Sequence, residues 1–294
     1  MGRQRAFLVG MAICVMVFAC PASAQPDPAA ALRAKYTALT EQLQQNQFKQ
    51  PLVLASVETQ HGLQGDIYAV VAYPFGVVRD GLDNPQHWCE AMILHINTKY
   101  CHALSTPSGT ILRVNIGRKT PEELADAVRV EFAYSLATTT PDYIEIKLSA
   151  KEGPLGTSDY RILLEAVALP GGKSFVHLIY AYTMNFAARA AMQMYLGTIG
   201  SSKVGFTVVG TSGAGHPDYI DGVRGLVERN TMRYYLAIDA YLGAVLATPA
   251  AQSEQRLQNW FAATELYPQQ LYEMERGEYL EMKRAEVLRQ QTLR

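Results

Sequence analysis

Hydrophobic and polar residues alternate with a period of two along much of the middle of the chain. Leu112, Val114 and Ile116 share one side with polar residues between them, and residues 142–150 and 158–169 follow the same pattern. Such alternation is typical of antiparallel strands with one covered and one solvent-facing side. Six strands are predicted, at residues 91–103, 110–117, 128–136, 142–150, 158–169 and 174–184. Their apolar side needs a large cover.

A different period, of three or four residues, opens the mature part of the chain. Leu32, Tyr36, Leu39 and Leu43 follow it, which indicates an N-terminal helix within residues 28–47. The elements expected next are an extended piece, a β-rich strand and two short helices, at residues 51–60, 66–73, 75–82 and from Pro85 onward. Proline is favourable at a first helical position, so Pro85 marks the start of the second short helix.

The longest helical pattern covers residues 220–245, or about seven turns. Its repeating positions are Ile220, Val223, Val227, Thr231, Tyr234, Ile238, Leu242 and Val245. This helix is the natural cover for the apolar side of the sheet. A helix at 186–196 and a strand at 204–209 are predicted before it. A charged helical tail at 253–294, divided by Pro268, follows, and we expect its last part to be solvated or loosely docked.

The first residues have the composition of a secretory signal peptide. Arg3 and Arg5 make a basic start, residues 6–20 are apolar, and three small residues then offer a cleavage site. We predict that residues 1–24 are removed and that the mature protein works in the periplasm. Two alternatives are less favoured. One is an uncleaved anchor, for which the apolar stretch is short, and the other is lipidation at Cys20.

Charge and composition narrow the class of partner. The formal net charge is −1, and loss of the two leader arginines makes it −3. Without a basic stripe, nucleic acid is not expected as a partner. The 17 tyrosines suit pockets of mixed polarity, because each ring carries one polar group. The chain has no dinucleotide-binding fingerprint and no phosphate-binding loop of the required spacing, so no cofactor is expected.

Two cysteines, Cys89 and Cys101, remain after the leader. In an oxidising compartment an isolated pair is most simply a disulfide, with free buried thiols as the second interpretation. A metal site that also uses His95 and His102 is the third. The order of these four residues matches no familiar zinc spacing, so no metal is expected.

One local stretch and the order of the elements together resemble a known superfamily. The residues concerned are Ala72-Tyr-Pro74, Val77-Val78, Leu82, Asn84-Pro85 and Trp88. They are similar to the opening of START-like proteins, which include lipid-transfer domains, plant pathogenesis-related allergens and polyketide cyclases. The resemblance implies an α+β helix-grip fold, in which a curved antiparallel sheet of about seven strands surrounds a long C-terminal helix and leaves an apolar cavity. Residues 186–209 depart from the pattern, because in that superfamily the last strand leads directly into the helix.

Four segments follow from this interpretation. They are a signal peptide at 1–24, an N-terminal helical extension at 25–60, a START-like domain at 61–248 and a C-terminal helical tail at 249–294.

The long helix carries the most suggestive polar cluster. Asn230 and Tyr234 lie one turn apart near the apolar stripe, so they could hydrogen-bond the polar head of a mostly apolar ligand. Arg229 or Arg233 could pair with a carboxylate or phosphate. The alternative is a solvated arginine flank beside a buried tyrosine. The complete set of candidate ligand-binding residues is Trp88, His95, Tyr180, Tyr182, Arg229, Asn230, Arg233 and Tyr234.

Three functions remain open at this point. The first is binding or transport of a hydrophobic or amphipathic small molecule, with a lipid as the favoured ligand. Peripheral contact with a membrane is part of this hypothesis. The second is an enzyme of the cyclase or hydrolase type, in which His95 or His177 would serve as acid or base within the same cavity. The third is a non-catalytic envelope assembly protein whose cavity is filled by side chains. No catalytic signature in the sequence selects the enzyme.

Overall fold

The structure is a computed structural model that describes residues 27–60, 62–198, 200, 202–213 and 215–293. The predicted signal peptide and Cys20 lie outside the described residues. Eight antiparallel strands form one sheet in the order β1-β2-β8-β7-β6-β5-β4-β3. Their bounds are β1 Leu52–Glu58, β2 Gly62–Val71, β3 Thr98–Thr106, β4 Gly109–Ile116, β5 Val128–Thr139, β6 Tyr143–Glu152, β7 Thr157–Leu169 and β8 Lys173–Met184. Seven strands were expected, and the extended piece at 51–60 supplies the eighth.

A long helix, α6 (Gly222–Gly243), lies across the inner face of this sheet. Gly65 of β2 lets the helix come close, because a Cβ atom there would stand 2.2 Å from Oγ1 of Thr231. The sheet and this helix share one large apolar core with Ile67, Leu164 and Leu178 at its centre. This arrangement confirms the predicted helix-grip fold, and with it the resemblance to START-like proteins at the level of the fold.

The outer face of the sheet is not uniformly exposed, contrary to the expectation from the alternating pattern. Two N-terminal helices, α1 (Pro28–Ala38) and α2 (Thr40–Gln44), cover part of it. Leu32 and Leu43 pack there in a second apolar cluster with Tyr143 and Phe175. The N-terminal extension therefore closes the part of the sheet where large apolar side chains face away from α6.

The short helices after β2 match the prediction, and the strand after them does not. Helix α3 covers Phe75–Leu82 and α4 covers Pro85–Met92. The predicted strand at 91–103 was wrong at its start, because β3 begins only at Thr98. Residues 93–97 form turns, so His95 lies in a connection and not in a strand. This run is apolar because it is buried, and burial alone does not distinguish a turn from a strand.

Residues 186–219 form the interposed segment that sets the chain apart from the superfamily pattern. Helix α5 (Phe186–Gly197) agrees with the prediction, but the strand expected at 204–209 does not. The strand there is β9 (Val208–Thr211), which pairs with β10 (Pro217–Tyr219) in a two-stranded sheet. Residues 204–206 instead run along α6, where the carboxylate of Glu228 accepts the backbone N–H of Phe206 at 2.6 Å.

The C-terminal tail is the largest correction to the predicted fold. Its helices are α7 (Pro249–Glu265), α8 (Pro268–Leu271) and α9 (Arg276–Thr292). The last of them was expected to be solvated or loosely docked, yet Tyr279 and Lys283 are fully buried. Helix α7 covers the side of α6 that faces away from the sheet, and the ring of Trp260 stacks on Tyr279 with centroids 4.8 Å apart. Within the described part of the chain, no helix has the length and apolarity needed to span a membrane.

Candidate functional site

A cavity of about 460 Å³ lies between α6 and the inner ends of strands β4, β5, β7 and β8. Its volume falls in the range of roughly 300–1,000 Å³ that is usual for small-molecule sites. Connections between elements also contribute to its lining. They are the turn between α4 and β3, the connection from β4 to β5, the 3₁₀ turn Pro154–Gly156 and the link between α8 and α9.

One wall of the cavity is aromatic. Tyr180 and Tyr182 both face inward because alternate residues of a strand share a face, and β7 contributes Tyr160. The rings of Tyr160 and Tyr182 stack with centroids 5.2 Å apart, and Phe132 meets Tyr160 edge-on at 6.1 Å. Burial raises the pKa of Tyr180 and of Tyr182, so both remain neutral hydroxyls. This wall suits the apolar part of a ligand.

Another part of the lining, called the polar end below, is polar and charged. Arg229 and Arg233 come from α6, Lys119 from the β4–β5 connection and Glu273 from the link before α9. Glu273 pairs with Arg233 at 2.6 Å, with Lys119 at 2.7 Å and with Lys203 at 3.1 Å. Burial alone would raise the pKa of Glu273, but the charges of Arg233 and Lys119 lower it to about 2. This carboxylate is therefore ionised and fully engaged.

Arg229 is not paired in this way. It is 3% exposed, and one of its terminal N–H groups donates to the carbonyl oxygen of Val204 at 3.0 Å. No carboxylate of the described residues lies within ion-pairing distance of it. Burial lowers the pKa of Arg229 to about 10, so it still carries its charge at neutral pH. The predicted alternative of a solvated arginine flank is wrong, since Arg233 is also buried, at 2% exposure.

His95 lies at the same end and is a neutral donor. Its Nδ1 accepts the backbone N–H of Asn97 at 3.2 Å, which leaves the proton on Nε2. Burial lowers the pKa of His95 well below its usual value, and the charges of Arg233 and Lys283 lower it further. The ring stacks on Tyr234 at 4.8 Å, and Nε2 is buried without a hydrogen-bond partner among the described residues.

The turn that carries His95 is held from outside the cavity by α9. The ammonium of Lys283 donates to the carbonyl oxygens of His95 at 3.1 Å and of Thr98 at 2.7 Å. The hydroxyl of Tyr279 donates to the carbonyl of Leu94 at 2.8 Å. Because turn carbonyls buried without a partner would cost free energy, α9 is a structural requirement of this end of the site.

The disulfide joins the two elements on either side of the same turn. Cys89 of α4 is bonded to Cys101 of β3, with Cα atoms 5.0 Å apart. The predicted disulfide is confirmed, and neither sulfur is left as a free thiol or a thiolate ligand. Gln290 of α9 accepts the backbone N–H of Cys101 at 3.0 Å, so the covalent bond and the last helix stabilise the same connection.

The structure brings seven of the eight candidate residues together. His95, Tyr180, Tyr182, Arg229, Asn230, Arg233 and Tyr234 all line the cavity. Trp88 does not. Its indole N–H donates to the carbonyl oxygen of Leu82 at 2.8 Å, which ties α4 to the end of α3.

His177 lies on the outer face of the sheet and has no access to the cavity. Its two ring nitrogens lie 2.8 Å from a carboxylate oxygen of Glu165 and 2.9 Å from one of Asp66. Burial opposes protonation, but the hydrogen bonds to Asp66 and Glu165 outweigh it and raise the pKa of His177. The ring also stacks on Tyr68 at 4.0 Å. His177 is therefore a structural residue.

Sequence reasoning missed five charged residues of the lining, Arg118, Lys119, Glu122, Asp126 and Glu273. Of these, Lys119 and Glu273 form an ion pair. Both lie in connections without periodicity and are separated by more than half the chain, so no local pattern links them. The only sequence signal for Glu273 is a carboxylate between Tyr272 and Met274, in a link between helices. Met192 of α5 and Leu155 of the turn before β7 also line the cavity and were not named as candidates.

No protein-family model and no curated protein matches the chain. Among solved structures, a conserved protein from Geobacillus kaustophilus is similar at 9% identity and a TM-score of 0.35, over 61% of this chain and 95% of that one. A point mutant of norcoclaurine synthase from Thalictrum flavum is similar at 13% identity and 0.32, over 51% and 89%. Human StAR-related lipid transfer protein 5 is similar at 10% identity and 0.29, over 54% and 83%. At these TM-scores, the fold assignment rests on the strand order and on α6 held by the sheet.

Proposed function

We propose that this protein binds one amphipathic small molecule, a lipid, in the cavity beneath α6 and carries or stores it in the periplasm. The observation that carries the proposal is one cavity whose lining combines an aromatic wall with the buried cationic side chains of Arg229 and Arg233. An apolar ligand tail would displace water from the tyrosine wall, which is the main favourable contribution to binding.

The cavity also separates this proposal from the assembly-protein hypothesis. That hypothesis requires a solid core beneath α6, and a volume of about 460 Å³ is present there instead.

The enzyme hypothesis has one supporting feature, which is that His95 lines the cavity beside Tyr234. A general base, however, must bind a proton near the working pH. Burial and the neighbouring cations lower the pKa of His95 well below its usual value, and Nδ1 is already occupied by the N–H of Asn97. The imidazole is therefore suited to donating a hydrogen bond and not to abstracting a proton, which favours binding.

The periplasmic location is part of the proposal. It is supported by the composition of residues 1–24 and by the Cys89–Cys101 disulfide, since such bonds persist in oxidising compartments.

The test is to purify the mature protein from its host, extract it and analyse the extract by lipid mass spectrometry. Binding of the neutral fluorescent probe N-phenylnaphthylamine to the delipidated protein is measured in parallel. Leu226→Trp places a large ring in the cavity wall and should abolish probe binding, whereas Leu266→Trp, at a position that is 66% exposed, should not. If Leu226→Trp unfolds the protein, Met192→Trp tests the other wall. An empty extract together with no probe binding would overturn the proposal.

A further inference from the structure

We infer that the polar end of the cavity binds an anionic oxygen head group, a carboxylate or a phosphate, and so selects acidic amphiphiles over neutral or cationic ones. This inference rests on the proposed function and concerns the same cavity. It depends on how charges and hydrogen-bond donors are distributed among the residues that line the polar end.

The first step is the balance of buried charge. Three cationic side chains, Lys119, Arg229 and Arg233, line the polar end, and Glu273 is the acidic side chain among them. Glu273 is already shared by Arg233, Lys119 and Lys203.

The remaining charged residues of the lining are Arg118, Glu122 and Asp126. Arg118 and Glu122 pair with each other at 3.6 Å, and Asp126 is exposed on the turn before β5. With these included, the lining has four cationic and three acidic side chains, so one positive charge is in excess.

The second step is the state of Arg229. A guanidinium has five N–H donors, and among the described residues Arg229 has one acceptor, the carbonyl oxygen of Val204 at 3.0 Å. A charge that is 3% exposed and has no described carboxylate within ion-pairing distance is costly to bury. A ligand anion would offset that cost, and two parallel N–H donors fit a carboxylate or phosphate better than they fit a hydroxyl.

The third step is the neutral donors beside Arg229. The side-chain oxygen of Asn230 accepts an N–H of Arg233 at 3.4 Å. The amide N–H₂ of Asn230 has no partner among the described residues. His95 adds an Nε2–H that is likewise unpartnered and buried. A head group at this end therefore meets the donors of Arg229, Asn230 and His95, and the carboxylate beside them, Glu273, is already engaged by three cations.

The test uses four amphiphiles with the same chain and different heads: dodecanoate, dodecyl phosphate, dodecanol and dodecyltrimethylammonium. Each displaces the neutral probe from the wild-type protein, below its critical micelle concentration. Dodecanoate or dodecyl phosphate should bind at least about tenfold more tightly than dodecanol, since a hydrogen bond to a charged group contributes more than one to a neutral group. The cationic amphiphile should bind most weakly. The order of the two anions distinguishes a carboxylate site from a phosphate site.

Arg229→Gln supplies the matched variant. It should weaken the tighter anion by about tenfold and leave dodecanol nearly unchanged. Arg224→Gln is the control, because Arg224 lies on the same helix but outside this cavity and contacts Ser56 instead. The order in which the wild-type protein binds the four amphiphiles tests the head-group inference even if Arg229→Gln does not fold.

The outcomes separate the two proposals. If dodecanol binds as tightly as both anions, the head-group inference is wrong and the proposed function stands. If none of the four displaces the probe and the extract is empty, the proposed function is wrong and the inference falls with it.

Discussion

The ammonium of Lys283 lies 3.1 Å from the carbonyl oxygen of His95, so the last helix of the chain holds the turn that brings a histidine to the cavity. The two residues are far apart in sequence and belong to segments with different patterns. Helix α9, which the sequence predicts to be part of a charged tail, therefore supports the ligand site. The predictions below test this relationship and three others on which the fold depends.

Removing the Lys283 ammonium should destabilise the protein strongly. Lys283 is fully buried and donates to the carbonyl oxygens of His95 and Thr98, so Lys283→Met removes a donor from each, while Glu286 keeps its ion pair with Lys99 at 2.9 Å. Loss of these two buried hydrogen bonds should cost about 2–3 kcal/mol, measured as the free energy of unfolding in urea. Lys173→Met, at an exposed position, should change it by less than about 0.5 kcal/mol. Equal stability of the two variants would contradict a structural role for α9.

Loss of the disulfide should weaken the same turn. The bond closes a short loop between α4 and β3, so Cys89→Ala with Cys101→Ala should lower the free energy of unfolding by about 2–3 kcal/mol. Adding a reductant to the wild-type protein should give a similar loss, and the double variant should not respond to it. A wild-type protein that is insensitive to the reductant would show that the bond does not form.

The His177 cluster should make stability depend on pH. Because Asp66 and Glu165 raise the pKa of His177 in the folded protein, its pairing contributes fully below the unfolded pKa near 6.5. That contribution is lost as the pH rises through the raised folded value. His177→Gln should therefore cost more stability at about pH 5 than at about pH 9. Urea unfolding at both pH values measures the difference.

His216→Gln is the matched control for this experiment, since His216 is exposed. It should show little difference between the two pH values. A His177→Gln cost that is the same at both would mean that the imidazole is not charged within the cluster.

The contact of Gly65 with Thr231 should make that glycine hard to replace. A Cβ atom at Gly65 would overlap the Thr231 side chain, so Gly65→Ala should cost roughly 1–3 kcal/mol of unfolding free energy. In a Thr231→Ala background the cost should fall, which a double-mutant cycle measures. Gly76→Ala is the control, because nothing lies within 4 Å of a Cβ there, and in the first turn of α3 it should stabilise the protein by up to about 1 kcal/mol. If the effects of Gly65→Ala and Thr231→Ala simply add, the close contact between these two residues is contradicted.

The elements that could be predicted are those whose side chains share one regular environment. Strands β4, β6 and β7 each have one buried face. Apolar and polar residues alternate along such a strand, whichever element covers the buried face. Helix α6 was recognised by its period, and α4 by the proline at its start. Tyr180 and Tyr182 followed as candidates because they share a face of the last core strand.

The turn at 93–97 shows where this reasoning ends. Its apolar residues resemble a strand because α9 buries them, and the sequence near His95 contains no trace of a helix that lies almost 190 residues later. The same holds for α9 itself, whose burial depends on the surface formed by β3 and α7.

By itself, the sequence determined the helix-grip order, the disulfide and the aromatic and arginine residues of the site, because each leaves a mark in local spacing or composition. Only the tertiary structure decided that Arg229 is buried without a carboxylate, that Glu273 binds its neighbours, and that His95 is a neutral donor. Charge balance and protonation depend on distances between residues from separate connections, and the packing of the whole chain sets those distances.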